Sequence, residues 1–296
     1  MARVVDSEAV LEQGIAAPGY RLPGSAHVGR VRLAVSDLER SVAFYRDVIG
    51  LAVIEQTSNL ARLGAGNKFL LELEAVPGVR ALGRSKRLGL YHTAFLLPTR
   101  ADLGAFVKHL WKLGVPFGAG DHLVSEAIYL ADPDGLEVEV YADRPRDTWT
   151  FDGPELRMAT DPVRFGELAA VAGEWNGAPA GTTVGHVHFY VGDLRQAADF
   201  YHAALGLDVM TKFPGALFTS AGGYHHHVGL NVWASGSPVA SENDARLLFW
   251  ELALPDAEEI EQVTASLRAG GFEETVAANG ARAFVDPWGI RVALVA

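Results

Sequence analysis

The sequence contains no cysteine and no long apolar run. The absence of cysteine among its 296 residues excludes disulfides, thiolate metal sites and a cysteine nucleophile. No apolar run approaches the roughly 18 residues that a membrane-spanning helix needs. The first residues mix acidic with apolar side chains and lack a basic-then-apolar pattern, so we predict no signal peptide. We therefore expect a cytoplasmic protein without a membrane partner.

Positive charge is also scarce. The chain has 25 Lys and Arg against 36 Asp and Glu, which gives a net charge of -11. Because a phosphate backbone attracts a basic surface, this balance argues against nucleic acid and anionic membranes as partners. With 49% hydrophobic and 21% charged residues, the composition is that of a globular protein, and the length suffices for two domains with sizeable cores.

The chain contains an internal repeat. Residues 31–51 return as residues 187–207 with eight identical positions in twenty-one. Both copies predict a strand with alternating apolar residues, a turn, and an amphipathic helix that carries Phe-Tyr and stops at a glycine. Residues that both copies share form the scaffold, and residues present in one copy only are candidates for chemistry.

A second kind of unit follows each copy. It has a strand, a helix and a hairpin whose tip reads Asp-Pro-x-Gly, at residues 132–135 and 286–289. The sequence therefore predicts four βαβββ units, at about 27–75, 88–142, 183–234 and 246–296. We group them into an N-terminal domain of residues 25–142 and a C-terminal domain of residues 183–296. The join, residues 143–182, is rich in Pro, Gly and charge and predicts one helix near residues 163–174.

One such unit cannot cover the apolar face of its own sheet. Two units side by side can form a curved sheet that buries one face under the helices and leaves the other face lining a cavity. The predicted class is therefore α+β, with two half-barrel cups of mixed sheet. Strand alternation places His92, His186 and His188 on concave faces, where ionisable groups are costly unless they have partners.

These features together carry a family resemblance. The βαβββ repeat, the strand–Asp-Leu–helix–Phe-Tyr signature and the Asp-Pro-Asp-Gly hairpin resemble the vicinal oxygen chelate superfamily of glyoxalases, bleomycin-resistance-type proteins and extradiol dioxygenases. The segments at residues 91–92, 120–126, 141–146 and 222–233 are similar to CatE-type catechol 2,3-dioxygenases. The resemblance covers nearly all of the chain beyond about residue 25 and implies the vicinal oxygen chelate fold.

The resemblance implies that metal ligands come from the first and last strands of paired units. The first-strand position holds, from unit 1 to unit 4, Arg30, His92, His186 and Phe249. The last-strand position holds Glu139 in unit 2 and Ala293 in unit 4. Arg, Phe and Ala cannot ligate iron, so His92, Glu139 and His186 remain, and two histidines with one carboxylate compose the facial triad of non-heme Fe(II) oxygenases. Glu137 shares a face with Glu139, and the family spacing favours Glu139.

The expected metal ligands belong to units 2 and 3, and this constrains how the units pair. If unit 1 paired with unit 2, His92 and Glu139 would face Arg30. In the same arrangement His186 would face Phe249, and no triad would form. We predict instead that units 2 and 3 build the metal cup and that units 1 and 4 form a metal-free cup that supports it. A lone strand histidine is usually a hydrogen-bonded core residue, but two at equivalent positions, with the carboxylate, favour a metal.

Three further residues receive roles from the same resemblance. His226, in the histidine run at residues 225–227, matches a histidine beside the bound substrate and is predicted to act as acid and base; alternatively it fills a polar gap. Tyr129 matches a tyrosine that hydrogen-bonds the substrate oxygen, or is an ordinary strand aromatic. His122 resembles a histidine that closes the substrate pocket, although its spacing to the hairpin differs by two residues.

These features predict an extradiol dioxygenase that opens a catechol-type ring next to its two hydroxyls, with Fe(II) or Mn(II) as cofactor and O2 as co-substrate. One alternative is a metal-dependent glyoxalase-like isomerase or lyase, which usually needs a fourth protein ligand; the final strand of unit 3 offers Asn231 as the nearest candidate. The other is a metal-free small-molecule binding protein, which would predict loss of His92 or Glu139. Fold membership alone does not decide among them. Surplus sheet edges allow a homodimer.

Overall fold

The computed structural model describes residues 14–296. Their strands form two eight-stranded sheets, each with parallel and antiparallel neighbours, and one short hairpin. This confirms the predicted α+β class with four βαβββ units. Residues 1–13, on which much of the signal-peptide prediction rests, lie outside the described residues. Within residues 14–296, none of the helices combines the length and the apolar character that crossing a bilayer requires.

The units have the following bounds. Unit 1 consists of β1 (His27–Val35), α1 (Leu38–Asp47), β2 (Ala52–Gln56), β3 (Leu60–Ala65) and β4 (Lys68–Ala75). Unit 2 consists of β5 (Gly89–Leu96), α2 (Arg100–Leu113), β6 (Gly118–Asp121), β7 (Ser125–Ala131) and β8 (Glu137–Asp143). The join contains a 3-10 turn (Arg146–Thr148), β9 (Phe151–Asp152), β10 (Glu155–Leu156) and α3 (Phe165–Ala170).

The second half repeats this order. Unit 3 consists of β11 (Thr183–Tyr190), α4 (Leu194–Ala198) with a π-helical continuation (Asp199–Ala204), β12 (Asp208–Phe213), β13 (Ala216–Ser220) and β14 (Val228–Asn231). Unit 4 consists of β15 (Arg246–Ala253), α5 (Ala257–Ala269), β16 (Glu274–Val276), β17 (Arg282–Val285) and β18 (Arg291–Val295).

The repeated residues are scaffold. The repeat's aspartates, Asp37 and Asp193, are N-caps whose side chains accept backbone N–H groups of the first helical turn. The glycine that ends each repeat, Gly50 or Gly206, has a positive φ, of 88° and 91° respectively. A Cβ atom at Gly206 would also lie 2.8 Å from the carbonyl oxygen of Tyr20, so that glycine is required by conformation and by space.

The two repeated signatures bind each other. The Phe-Tyr tyrosine of unit 3, Tyr201, donates from its hydroxyl to Asp286 of the unit 4 hairpin over 3.0 Å. Tyr45 of unit 1 makes the corresponding bond to Asp132 of unit 2 over 3.3 Å. Each aspartate also accepts two backbone N–H groups of its own hairpin tip. Each helix is thereby tied to the next unit along the chain.

Each sheet, in contrast, pairs two units that these hydrogen bonds do not connect. One sheet has the order β12-β13-β14-β11-β5-β8-β7-β6 and joins unit 3 to unit 2; the other has the order β16-β17-β18-β15-β1-β4-β3-β2 and joins unit 4 to unit 1. In the first sheet β5 and β11 run antiparallel, and His188 is the Cα partner of His92. The predicted pairing is confirmed, and each sheet contains strands from both halves of the chain.

The strand alternation of β11 separates core from cavity. Val187 and Phe189 belong to the main apolar core, where the ring of Phe189 lies 6.2 Å from that of Trp250 in the other sheet. Burying such side chains contributes about 1.5–3 kcal/mol each. His186 and His188 project from the opposite, concave face. The core thus fixes the strands from which the candidate site is built.

Candidate metal centre and cavity

Three buried side chains converge from three adjacent strands. His92 lies on β5, His186 on β11 and Glu139 on β8. The Oε2 atom of Glu139 lies 3.0 Å from Nε2 of His92 and 3.0 Å from Nε2 of His186, and the two Nε2 atoms are 3.3 Å apart. Within residues 14–296 this is the one group of three or more such side chains whose ligand atoms are close enough together to hold a metal ion.

The donor set fits a divalent ion. Two ligand atoms at right angles, each about 2.1 Å from an ion, are separated by about 3.0 Å, which matches the separations above. The Nδ1 atoms of His92 and His186 are buried without a hydrogen-bond partner, so each ring faces its polar neighbours through Nε2 alone. A cation would offset the repulsion among lone pairs that converge in this way.

The protonation states also suit a metal. Burial lowers the pKa of His186 to about 4, so its imidazole is neutral at pH 7. Burial acts to raise the pKa of Glu139, but His186 and His92 outweigh it and hold that pKa well below its usual range. A neutral imidazole and an ionised carboxylate are the forms that ligate metal ions.

A cavity of about 470 Å³ opens in front of these side chains. It is lined by His92 and Glu139, and by all three other residues that the sequence singled out, His122, Tyr129 and His226. The ring of His186 lies behind that of His226, with centroids 4.0 Å apart. The structure therefore brings the six predicted site residues together around one space.

Tyr129 and His122 form one hydrogen-bonded pair. The Nδ1 atom of His122 lies 2.7 Å from the carbonyl oxygen of Ala159, to which it can only donate. The Nε2 atom of the neutral ring therefore accepts, and it accepts the hydroxyl of Tyr129 over 2.7 Å. Leu123, which follows His122, has a φ of 68°, and bulky residues rarely adopt this left-handed backbone conformation. The pair holds the hydroxyl of Tyr129 at the cavity, where it also interacts with Glu139.

His226 is linked to a carboxylate through His225. Oδ1 of Asp143 accepts from Nε2 of His225 over 2.9 Å, and Nδ1 of His225 lies 2.7 Å from Nδ1 of His226. In the neutral form of His225, donation through Nε2 leaves Nδ1 as an acceptor, and Nδ1 of His226 then donates to it. This leaves the lone pair of His226 on Nε2. Burial lowers the pKa of His226 well below its ordinary value, so the ring is neutral at pH 7.

The third histidine of the run has a different environment. The Nδ1 atom of His227 accepts the backbone N–H of Ala221 over 3.2 Å and lies 2.9 Å from the hydroxyl of Ser220. It is buried outside the lining of the cavity. The adjacent histidines thus have different surroundings, although the run precedes β14 and lies outside any strand.

Several residues that line the cavity were not predicted from the sequence. The join contributes Met158, Ala159 and Thr160, held beside β6 by an antiparallel bridge between Asp121 and Asp161. No periodic pattern in the join indicated this. Phe213 on β12 and Phe218 on β13 also line the cavity, and extending the strand alternation to these two strands would have found them.

The second cup holds ion pairs. Arg32 binds Glu72 over 2.6 Å, and Arg30 binds Glu251 over 2.7 Å. Glu72 pairs in register with Arg32 on the neighbouring parallel strand, as Glu139 pairs with Ala94. The carboxylate that corresponds to Glu139 is therefore neutralised by a guanidinium of the same sheet.

Comparisons with known proteins identify the family of this chain. The family model of the glyoxalase/bleomycin resistance protein/dioxygenase superfamily matches residues 26–140 and 183–294. The chain is 43% identical over 258 residues to a catechol-2,3-dioxygenase of Bacillus subtilis (strain 168), covering 84% of this chain and 90% of that protein. Two crystal structures share the fold. A candidate dioxygenase from Bacillus subtilis subsp. subtilis str. 168 has a TM-score of 0.64 at 16% identity, over 93% of this chain and 86% of that one. Glyoxalase I from Zea mays has a TM-score of 0.55 at 18% identity, over 92% of each chain.

Proposed function

The chain belongs to the glyoxalase/bleomycin resistance protein/dioxygenase superfamily, and we propose that it is an extradiol dioxygenase that opens catechol-type rings with O2. The observation that carries the proposal is the group of His92, His186 and Glu139, two of which line a cavity of about 470 Å³. The similarity to a catechol-2,3-dioxygenase over most of the chain supports the same reaction.

These three side chains would hold a ferrous ion, with Mn(II) as the other candidate. When bound by three protein ligands, such an ion supplies positions for a catecholate and for O2 and promotes the transfer of charge between them. The protein's own part is to orient the substrate, to exclude water and to move protons.

Tyr129 and His226 divide that work. Held by His122, the hydroxyl of Tyr129 would hydrogen-bond a substrate oxygen and fix the orientation of the ring. His226, neutral with its lone pair on Nε2, would take a proton from a substrate hydroxyl at that atom and return it later in the reaction. Both side chains are buried or nearly so, which shields the transfer from bulk water.

The glyoxalase-like alternative lacks its fourth ligand. Asn231, the nearest candidate on β14, donates from Nδ2 to His188 over 2.9 Å and accepts the backbone N–H of Trp233 over 3.0 Å. These bonds occupy both ends of its amide. The second candidate function therefore has no supporting observation in the described residues.

The test is anaerobic loading with Fe(II), in parallel with Mn(II), followed by catechol and air. We expect O2 uptake and a ring-fission product that absorbs in the near-ultraviolet to visible. His92→Ala should remove bound iron, whereas His226→Ala should retain iron and lower kcat by about 10²- to 10⁴-fold. His227→Gln is the matched control, since it alters a neighbouring buried histidine outside the cavity. Iron-loaded protein that consumed no O2 with any catechol would refute the proposal.

A further inference from the structure

The cavity is larger than one aromatic ring requires. Its volume is about 470 Å³, whereas a cavity of about 150 Å³ is enough to hold benzene. A metal ion and O2 take up part of the difference. Unsubstituted catechol would still leave room for a group of several heavy atoms.

Aromatic rings line the route from the metal end to the surface. The ring of Phe218 lies 4.9 Å from that of His226 and 5.6 Å from that of His188. Phe213 follows at 6.4 Å from Phe218, and it is 37% exposed. The two phenylalanines thus extend an apolar wall outward from the residues that would surround the reacting ring.

The other parts of the wall are apolar as well. Trp233, which is 50% exposed, lies 6.0 Å from His188 and 6.2 Å from Tyr91, ring to ring. Met158 of the join completes this end of the lining. Apolar walls with a few fixed polar groups favour ligands whose outer part is apolar.

The charged side chains that line the cavity also favour an uncharged ligand. Its lining residues within the described part of the chain include the carboxylates Glu137 and Glu139 and no Lys or Arg. Lys86 lies 5.2 Å over the ring of Tyr190, outside the lining. Away from the metal ion, a carboxylate on the substrate would lose its water here without gaining a cationic partner among the lining side chains, and the net charge of -11 would repel it at a distance.

We infer that the substrate is a catechol that carries an uncharged apolar substituent, such as an alkyl group, a halogen or a second ring, directed along Phe218 and Phe213. The inference rests on the proposed function. It distinguishes apolar from carboxylated catechols as the substrate class.

The experiment compares four catechols on the Fe(II)-loaded protein: catechol, 4-methylcatechol, 4-tert-butylcatechol and 3,4-dihydroxybenzoate. O2 uptake gives kcat/KM, and calorimetric titration under argon gives the dissociation constant without turnover. One buried methyl group changes specificity by about tenfold, so we expect each apolar substituent to raise kcat/KM and tighten binding by about tenfold or more. The carboxylate should weaken both by a similar factor or more.

A matched pair of variants tests the wall itself. Trp233→Lys places a cation in the lining, whereas Trp111→Lys makes the same change at a tryptophan that is 51% exposed on α2, outside the lining. Trp233→Lys should reduce the preference for 4-tert-butylcatechol over 3,4-dihydroxybenzoate by about tenfold or more, and Trp111→Lys should leave it unchanged. Phe213→Lys, at an exposed edge-strand position, repeats the test if Trp233→Lys does not fold.

The outcomes separate the two proposals. Cleavage of catechol with equal or better use of 3,4-dihydroxybenzoate would overturn the inference and leave the proposed function intact. Tight argon binding of 4-tert-butylcatechol without O2 uptake on any catechol would overturn the proposed function instead. A preference that responded equally to the Lys variants at residues 111 and 233 would also overturn the inference, because the wall would then not be its source.

Discussion

The hydrogen-bonded chain from Asp143 through His225 to His226 predicts that one substitution lowers kcat slightly and another lowers it strongly. In Asp143→Asn the amide oxygen can still accept Nε2–H of His225 and the hydroxyl of Tyr224, which lies 3.2 Å from Oδ1. The change therefore keeps the hydrogen bond and removes its charge. A charged hydrogen bond exceeds a neutral one by about 1 kcal/mol, which corresponds to about fivefold in kcat.

His225→Phe should be much more damaging. Phe can keep the ring packing on Tyr224 and Trp149, whose rings lie 4.1 and 5.6 Å from that of His225. It removes the acceptor for Nδ1–H of His226, so the basic lone pair is no longer held on Nε2. We expect kcat to fall by about 10²- to 10⁴-fold, since the loss of a tautomer-fixing partner in a comparable acid–base pair costs about 10⁴-fold.

The assay is kcat from O2 uptake at saturating catechol, with iron content measured on the same samples. Iron content and KM should stay at the wild-type values, because neither residue would touch the metal or the substrate. The double variant should match His225→Phe alone, since Asp143 would act only through His225. His227→Gln serves as the control and should retain wild-type kcat. His225→Phe with full iron and kcat within about threefold of wild type would refute the tautomer argument.

Three other predictions concern the site and its surroundings. Glu139→Gln should abolish iron binding measured by metal analysis, because a neutral amide replaces the ionised ligand; retention of stoichiometric iron would contradict the assignment. Tyr129→Phe should keep iron but lower kcat/KM by about tenfold or more through the lost substrate hydrogen bond, whereas an unchanged value would show that Tyr129 does not contact substrate. The buried His227 should make the stability of the folded protein sensitive to acid. Burial lowers its pKa to about 3, and its ordinary value is about 6.5. The unfolded state thus binds more protons between these values, and stability should fall as the pH drops from about 6.5 towards 3. Denaturant unfolding at a series of pH values should show a shallower fall in His227→Gln; an identical slope would exclude His227 as a source.

Much of the fold could be derived from the sequence, because the repeat carries its own constraints. The family resemblance supplied the ligand positions, and because Arg30 and Phe249 cannot ligate a metal there, we predicted that unit 2 pairs with unit 3 and unit 1 with unit 4. His92 and His186 could be placed on one face because strand alternation has a period of two. The assignment of strand faces rests on backbone geometry, which local sequence patterns encode well, whereas the ligand positions rest on the family resemblance.

The remainder depends on side-chain directions and on a segment without periodicity. The run at residues 225–227 precedes β14 (Val228–Asn231), so alternation could not assign partners to its three rings. The join gave no signal that Met158 reaches the cavity. The predicted helix near residues 163–174 is shorter, Phe165–Ala170, and within it Leu168 alone is buried, so little apolar burial supports a longer helix.

The seam between β5 and β11 joins residues such as His92 and His186, which are 94 positions apart. During synthesis, unit 2 therefore emerges from the ribosome with one imidazole and one carboxylate in place while its neighbour has yet to be translated. Unit 1 remains unpaired for longer, because it pairs with unit 4, which is translated last. Throughout that interval β1 and β5 are unpaired edges, open to mispairing with other nascent strands. A metal ion could be held by His92, Glu139 and His186 together only after the third unit has been made.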